Sequence, residues 1–138
     1  MSPIELTYFG LTVAVVAFAL IAGRRPERLS ALIFAAAALA TQIVALRLPV
    51  SQVNNVMLLI DGLMAFGFLM LALRYGYLWI ALMMAAMAGY FSIHAYYLAM
   101  SLKPDRIFVI ASNAATAVAL ISITIGVLTS RRRAAEEA

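Results

Sequence analysis

The sequence predicts an all-α fold, a polytopic membrane bundle of five transmembrane helices with the N-terminus outside and the C-terminus in the cytoplasm. Of the 138 residues, 66% are hydrophobic and 12% are charged, and the mean hydropathy is +1.02. A soluble domain has about 45–50% apolar and about 25% charged residues, and a chain this short cannot hide so much apolar surface from water. The composition therefore excludes a soluble enzyme, a nucleic-acid binder and a secreted scaffold.

Five apolar segments are long enough to cross a membrane, whose hydrocarbon core requires about 20 helical residues. They cover residues 4–22, 29–46, 53–73, 77–100 and 107–129. The connectors are short, and only helices can satisfy the backbone inside lipid with connectors of that length. We therefore expect a single transmembrane domain over residues 1–130 and a short charged cytoplasmic tail over residues 131–138.

Each segment ends at residues that break a helix or carry charge. The five ends are Gly23 to Arg28, Arg47 to Gln52, Arg74 to Gly76, Ser101 to Arg106, and Arg131 to Arg133. Lys and Arg accumulate on the cytoplasmic side of membrane proteins. Seven of the basic residues fall on one side of the predicted bundle and three, Arg47, Lys103 and Arg106, on the other. This distribution predicts that the N-terminus lies outside and the C-terminus in the cytoplasm. We therefore expect a multi-pass protein of the cell membrane, which is the inner membrane in a bacterium.

Two ionisable residues, Asp61 and His94, lie deep within predicted spans, where such groups are energetically expensive and often functional. With a helical rise of about 1.5 Å per residue, Asp61 lies about 12 Å and His94 about 9 Å below the outer end of its span. Asn113 is predicted at about 9 Å and Gln42 at about 6 Å on the same scale. Four helices thus place their most polar side chains at one level, in the outer half of the bilayer.

Helical periodicity groups these residues on particular faces. On the fourth span Tyr90 shares a face with His94, and on the third Asn54 shares a face with Asp61, because residues three, four and seven apart lie on one side of a helix. We expect the polar faces to converge. The predicted ligand or ion pocket comprises Asp61, His94, Asn54, Asn113, Tyr90 and Gln42.

Two interpretations of this polar level remain open. Asp61 and His94 could form a proton-titrating or cation-binding pair, as in proton relays. Alternatively Asp61, neutral or tied to Arg47, Lys103, Arg106 or an asparagine, holds the helices together, since an interhelical polar contact stabilises a membrane protein by about 0.6–2 kcal/mol. The arginines at 131–133 could attract anionic lipid or simply end the last span.

Other chemistries find less support in the sequence. Methionines near His94 could suit Cu(I), but methionine also fills gaps between helices, and the chain has no cysteine and one histidine. A haem would lack an obvious second ligand. Catalysis by His94 with Asp61 and Ser112 rests on similar depth alone. We therefore expect no metal, no cofactor and no enzymatic activity.

The function predicted is that of a small transport-related or channel-like membrane protein whose polar pocket opens near the outer face. The alternative is a non-catalytic accessory or assembly subunit of a larger membrane complex, and a third class is an intramembrane enzyme acting on lipid or isoprenoid. The expected partners are the lipid bilayer and either further copies of the chain or the subunits of such a complex, without nucleic acid. No motif is specific enough to assign a family.

Overall fold

The predicted fold class is confirmed, because the chain folds into five α-helices with no strand among the described residues. The computed structural model describes residues 3–136, with the side chains of residues 6–49 and 52–136. The helices are α1 (Pro3–Ala22), α2 (Arg25–Arg47), α3 (Val50–Tyr75), α4 (Leu78–Ala99) and α5 (Arg106–Glu136).

Four helices, α2 to α5, are long and apolar enough to cross a membrane, and in α1 the corresponding apolar stretch is the shorter Leu6–Ala22. Only 17–28% of the most apolar window of each long helix is buried inside the bundle. Large apolar side chains such as Leu59, Phe66 and Leu73 therefore face outwards. A contiguous apolar exterior of this kind suits lipid and not water.

The orientation of the bundle in the membrane stays a prediction, so its two ends are called the predicted outer end and the predicted inner end. The predicted outer end carries the α2–α3 and α4–α5 connectors. The predicted inner end carries the α1–α2 and α3–α4 connectors and the last turns of α5.

Helix α2 begins at Arg25, four residues before the predicted span. Pro26 fits there because a proline in the first helical turn does not remove a backbone hydrogen bond. The Glu27 side chain accepts a hydrogen bond from the Arg24 N–H at 2.9 Å, which satisfies a donor at the helix start. The connector between α1 and α2 is therefore reduced to Gly23 and Arg24.

Helix α3 ends at a glycine, whereas α5 continues past its predicted span. Gly76 adopts a left-handed conformation with φ 65°, which costs glycine less than any other residue, and its N–H donates to the Ala72 carbonyl at 2.9 Å. Helix α5 runs through Arg131–Arg133 to Glu136, so the charged segment begins as a helical extension. Residues 137 and 138 of that segment lie outside the described range.

The helices pack in a ring in which each contacts the next along the chain and α1 closes against α5. Helix α2 also contacts α5 across the ring, whereas α2 and α4 do not pack on each other within the described residues. Towards the predicted inner end the middle of the ring is filled by apolar side chains, including Phe68, Ile80, Met83 and Ile123, all at 0% exposure. Two cavities lie towards the predicted outer end, among the polar residues there.

Candidate functional site

Asp61 on α3 and His94 on α4 form a direct pair between neighbouring helices. His94 Nδ1 lies 2.7 Å from Asp61 Oδ2, and the two side chains are 8% and 13% exposed, respectively. The His94 ring is further fixed by Phe108, which meets it edge-on with ring centroids 5.4 Å apart, and by Tyr90 at 6.0 Å. The pair is thus mostly shielded and held in one geometry.

A central cavity of about 240 Å³ lies beside the Asp61 carboxyl group and is lined by residues from all five helices. Its polar lining consists of Thr12, Thr41, Gln42, Asp61, Tyr90, Ser112 and Thr116. Each of these side chains can present an oxygen atom. The cavity therefore offers hard oxygen ligands around a single carboxylate.

A second cavity, the outer cavity, has a volume of about 430 Å³ and is lined by His94. It is lined by the α3 and α4 ends and by the α4–α5 connector, including Asn54, Tyr97, Ser101 and Lys103. Its position at a helix-connecting loop places it nearest the predicted outer surface.

The Asp61–His94 pair lies where these two cavities meet. Asp61 lines the central cavity, His94 lines the outer cavity, and Tyr90 lines both. A proton held between Asp61 Oδ2 and His94 Nδ1 is therefore shared by two residues that line different cavities. This placement is the feature of the site with the clearest chemical consequence.

The structure distributes the predicted pocket residues over the two cavities. Gln42 joins Asp61 at the central cavity, and Asn54 joins His94 at the outer one. Asn113 is half-buried but lines neither. Ser112, which precedes it, lines the central cavity in its place together with Thr116.

The displacement of Asn113 has a simple geometric cause. Successive helical residues differ by about 100° in direction, and α5 turns Ser112, Ala115 and Ala119 towards the bundle, since the two alanines are 7% and 0% exposed. Ser112 and Thr116, four residues apart, therefore share the cavity face. The four-residue spacing of Ala111, Ala115 and Ala119 was the sequence signal for this rotation, because small residues mark a close-packed helix face.

The alternative partners considered for Asp61 are not used in the structure. Between residues 3 and 136, the ion pair of Asp61 is with His94, and Arg47, Lys103 and Arg106 form none with it.

Met83 and Met87 are buried in the apolar core at 0% and 2% exposure. The described side chains hold no group of three or more His, Cys, Asp or Glu placed to bind a metal ion.

Asp105 caps the start of α5 beside the outer cavity. Its Oδ1 accepts hydrogen bonds from the Phe108 N–H at 3.0 Å and from the Tyr97 hydroxyl at 2.7 Å. The backbone bond from Phe108, followed by the bond from Tyr97, lowers the pKa of Asp105 below its ordinary value. The ionised carboxylate thereby holds the loop against the α4 end.

We expect this cap to weaken in acid. Because the folded-state pKa of Asp105 is lowered, its stabilising contribution is present at neutral pH and is lost as the pH falls through that lowered pKa. Hydrogen exchange at the Phe108 amide, corrected for intrinsic rate, should lose protection between neutral pH and about pH 2. Asp105→Asn keeps a capping oxygen without titrating, so its protection should not change over that range. A parallel acid-induced loss in both proteins would contradict the assignment.

Comparison with protein-family models, with curated proteins and with solved structures finds no match to this chain. Its function is therefore argued from the geometry of the pair and the two cavities.

Proposed function

We propose that this chain is a small transport-related membrane protein that takes up a small cation from the predicted outer side, with Asp61 and His94 as its titratable element. The observation that carries the proposal is the position of the pair, with Asp61 on the central cavity and His94 on the outer one. Intramembrane ionisable residues of this kind commonly mark ion pathways and proton relays.

The pair can couple cation binding to proton release. When His94 is protonated, its Nδ1–H donates to the Asp61 carboxylate across the 2.7 Å contact. A cation that enters the central cavity neutralises the same carboxylate, so the His94 proton loses its electrostatic stabilisation. One cation is then bound, one proton leaves His94 for the outer cavity, and the charge of the site is unchanged.

The lining of the central cavity suits a small, hard cation. Hydroxyl, amide and carboxylate oxygens are the ligands preferred by such ions, and Thr41, Ser112 and Thr116 line the cavity together with Asp61. A volume of about 240 Å³ also leaves room for several water molecules at about 30 Å³ each. Partial hydration would reduce the cost of bringing the ion out of water.

The apolar core towards the predicted inner end supports a pocket that opens on one side at a time. Phe68, Met83 and Ile123 fill the ring there without exposure. Passage to the other side then requires a second arrangement of the helices. We expect the working unit to be an oligomer of this chain, in which neighbouring copies support that rearrangement.

The test is cation-driven proton movement in liposomes that contain the purified protein and a pH-sensitive dye. An inward sodium or potassium gradient should release protons with the native chain. Asp61→Asn removes the charge that binds both ions and His94→Ala removes the proton carrier, so each should reduce the signal at least about a hundredfold, since a proton-transfer group typically contributes about 10²–10⁴-fold. Asp105→Asn, the same chemical change outside both cavities, should leave the signal unchanged.

A second measurement separates transport from a purely structural role of the pair. In mild detergent, the Asp61→Asn and His94→Ala proteins should elute with the native oligomeric size. Variants that dissociate or aggregate while the Asp105→Asn protein does not would assign the pair to helix packing and overturn the proposal. Recovery of the native chain only in complex with other membrane proteins would favour the accessory-subunit alternative.

A further inference from the structure

A third cavity, of about 420 Å³, lies at the predicted inner end, far from the Asp61–His94 pair. We call it the inner-end cavity. It is bounded by the start of α2, the start of α4 and the second half of α5. Its volume falls within the range of about 300–1,000 Å³ that is usual for small-molecule sites.

Two arginines from opposite ends of the chain meet at this cavity. Arg24 precedes α2, and Arg133 lies in the last turns of α5. The Arg133 guanidinium lies 5.7 Å from the centre of the Tyr77 ring, and in the described part of the chain neither arginine forms an ion pair. By contrast, the neighbouring Arg132 pairs with Glu136 at 3.5 Å.

The acidic residue in the lining is already engaged. Glu27 is 2% exposed, and its carboxylate accepts the Arg24 backbone N–H at 2.9 Å. Two guanidinium groups therefore face the cavity against one carboxylate that is bound to the backbone. The inner-end cavity is positively charged at its mouth.

The lining changes from basic to apolar along the bundle. The lining also contains two aromatic residues, Tyr77 and Trp79. It further contains Leu78, Leu82 and Ile125, which are 75%, 52% and 47% exposed, respectively. Ile125 lies about 12 Å along the helix from Arg133, at about 1.5 Å per residue. Tyrosine and tryptophan favour the headgroup level of a membrane, and exposed leucine and isoleucine favour its hydrocarbon.

We propose that the inner-end cavity binds one anionic phospholipid, with its phosphate between Arg24 and Arg133 and an acyl chain along Leu78, Leu82 and Ile125. Basic pockets between transmembrane helices on the cytoplasmic side bind such headgroups, and guanidinium groups match phosphate oxygens geometrically. If the two arginines served only to orient the protein in the membrane, positive charge anywhere at this end would be enough. The convergence of two arginines on one cavity with an apolar extension is specific to lipid binding.

Trp79 provides the probe, because it is the chain's single tryptophan and it lines the cavity. The protein is reconstituted in phosphatidylcholine bilayers that contain a small fraction of lipid brominated on its acyl chains near the glycerol. Bromine quenches tryptophan fluorescence on contact. Brominated phosphatidylglycerol should quench Trp79 at a mole fraction at least about tenfold lower than brominated phosphatidylcholine.

A pair of double variants with equal net charge tests the arginines. Arg24→Gln with Arg133→Gln should remove the preference for phosphatidylglycerol, by about fivefold per arginine, which corresponds to about 1 kcal/mol per charge at a membrane surface. Arg25→Gln with Arg131→Gln changes adjacent arginines that do not line the cavity and should retain the preference. An unchanged Trp79 emission maximum shows that each protein is folded.

Three results would overturn the proposal. The first is equal quenching by the two brominated lipids with the native chain. The second is equal loss of the preference in both double variants, which would assign it to the general field of the basic end. The third is complete displacement of brominated phosphatidylglycerol by millimolar inorganic phosphate, which would show that a free anion outcompetes the lipid for the cavity.

Discussion

Replacing Phe68 with alanine is expected to lower the free energy of unfolding by about 3–5 kcal/mol. Phe68 has 0% exposure in the middle of the ring, so the substitution leaves an empty volume that its neighbours cannot fill. Inside a membrane, helix association depends mainly on such van der Waals packing. Titration with sodium dodecyl sulfate in mixed micelles measures the change.

Phe66 supplies the matched control on the same helix. It is 58% exposed and faces outwards, so Phe66→Ala should change the unfolding free energy by less than about 1 kcal/mol. The comparison also tests the facing of Asp61, since Phe68 lies seven residues after it and on the same side of α3. Equal destabilisation by the two substitutions would mean that α3 is rotated, and the central cavity would lose its carboxylate.

Replacing Gly126 with leucine is expected to destabilise the bundle by about 1–3 kcal/mol through overpacking. A Cβ atom at this position would lie 2.7 Å from Trp79 Cε2 and 2.9 Å from Cζ2. Trp79 is 9% exposed and its ring is rigid, so the ring or the helix backbones must shift to admit a side chain at Gly126. The absent side chain at Gly126 is therefore what lets α4 and α5 approach closely at the predicted inner end.

Gly89→Leu is the control for this prediction, because a Cβ atom there meets nothing within 4 Å. Its unfolding free energy should remain within about 1 kcal/mol of the native value. Trp79 fluorescence provides a local readout, and its emission should shift in the Gly126 variant alone. A Gly126→Leu protein with native stability and native emission would show that the two helices are further apart than described.

The sequence predicted, through depth and facing together, that the polar faces of α3 and α4 converge, and it left a direct Asp61–His94 pair as one of two interpretations. The rise per residue placed both groups at a similar level, and the periodicity of α3 and α4 turned them towards each other. Tyr90 followed from the same periodicity, since it lies four residues before His94 on one face. These predictions depend only on helical geometry, which is the same in every straight helix.

Asn113 shows where that reasoning stops. Its predicted depth matches that of the other polar residues, but it lines neither cavity, and Ser112 lines the central one instead. Choosing between adjacent residues requires the rotation of α5 about its own axis. That rotation is determined by the contacts of the small residues Ala115 and Ala119 with the neighbouring helices. It is not determined by the polar side chains of α5.

The sequence by itself determined the all-helical fold, the number of helices and the position of each polar residue along its helix, because composition and helical rise are local properties. Only the tertiary structure decided which side chains share a cavity. Asp61 and His94 line different cavities on either side of one hydrogen bond, and Arg24 and Arg133 meet at a third. The physical reason is that two side chains share a cavity only when their helices have the right rotation and the right order around the ring. Both are set by packing between segments that are distant in the sequence.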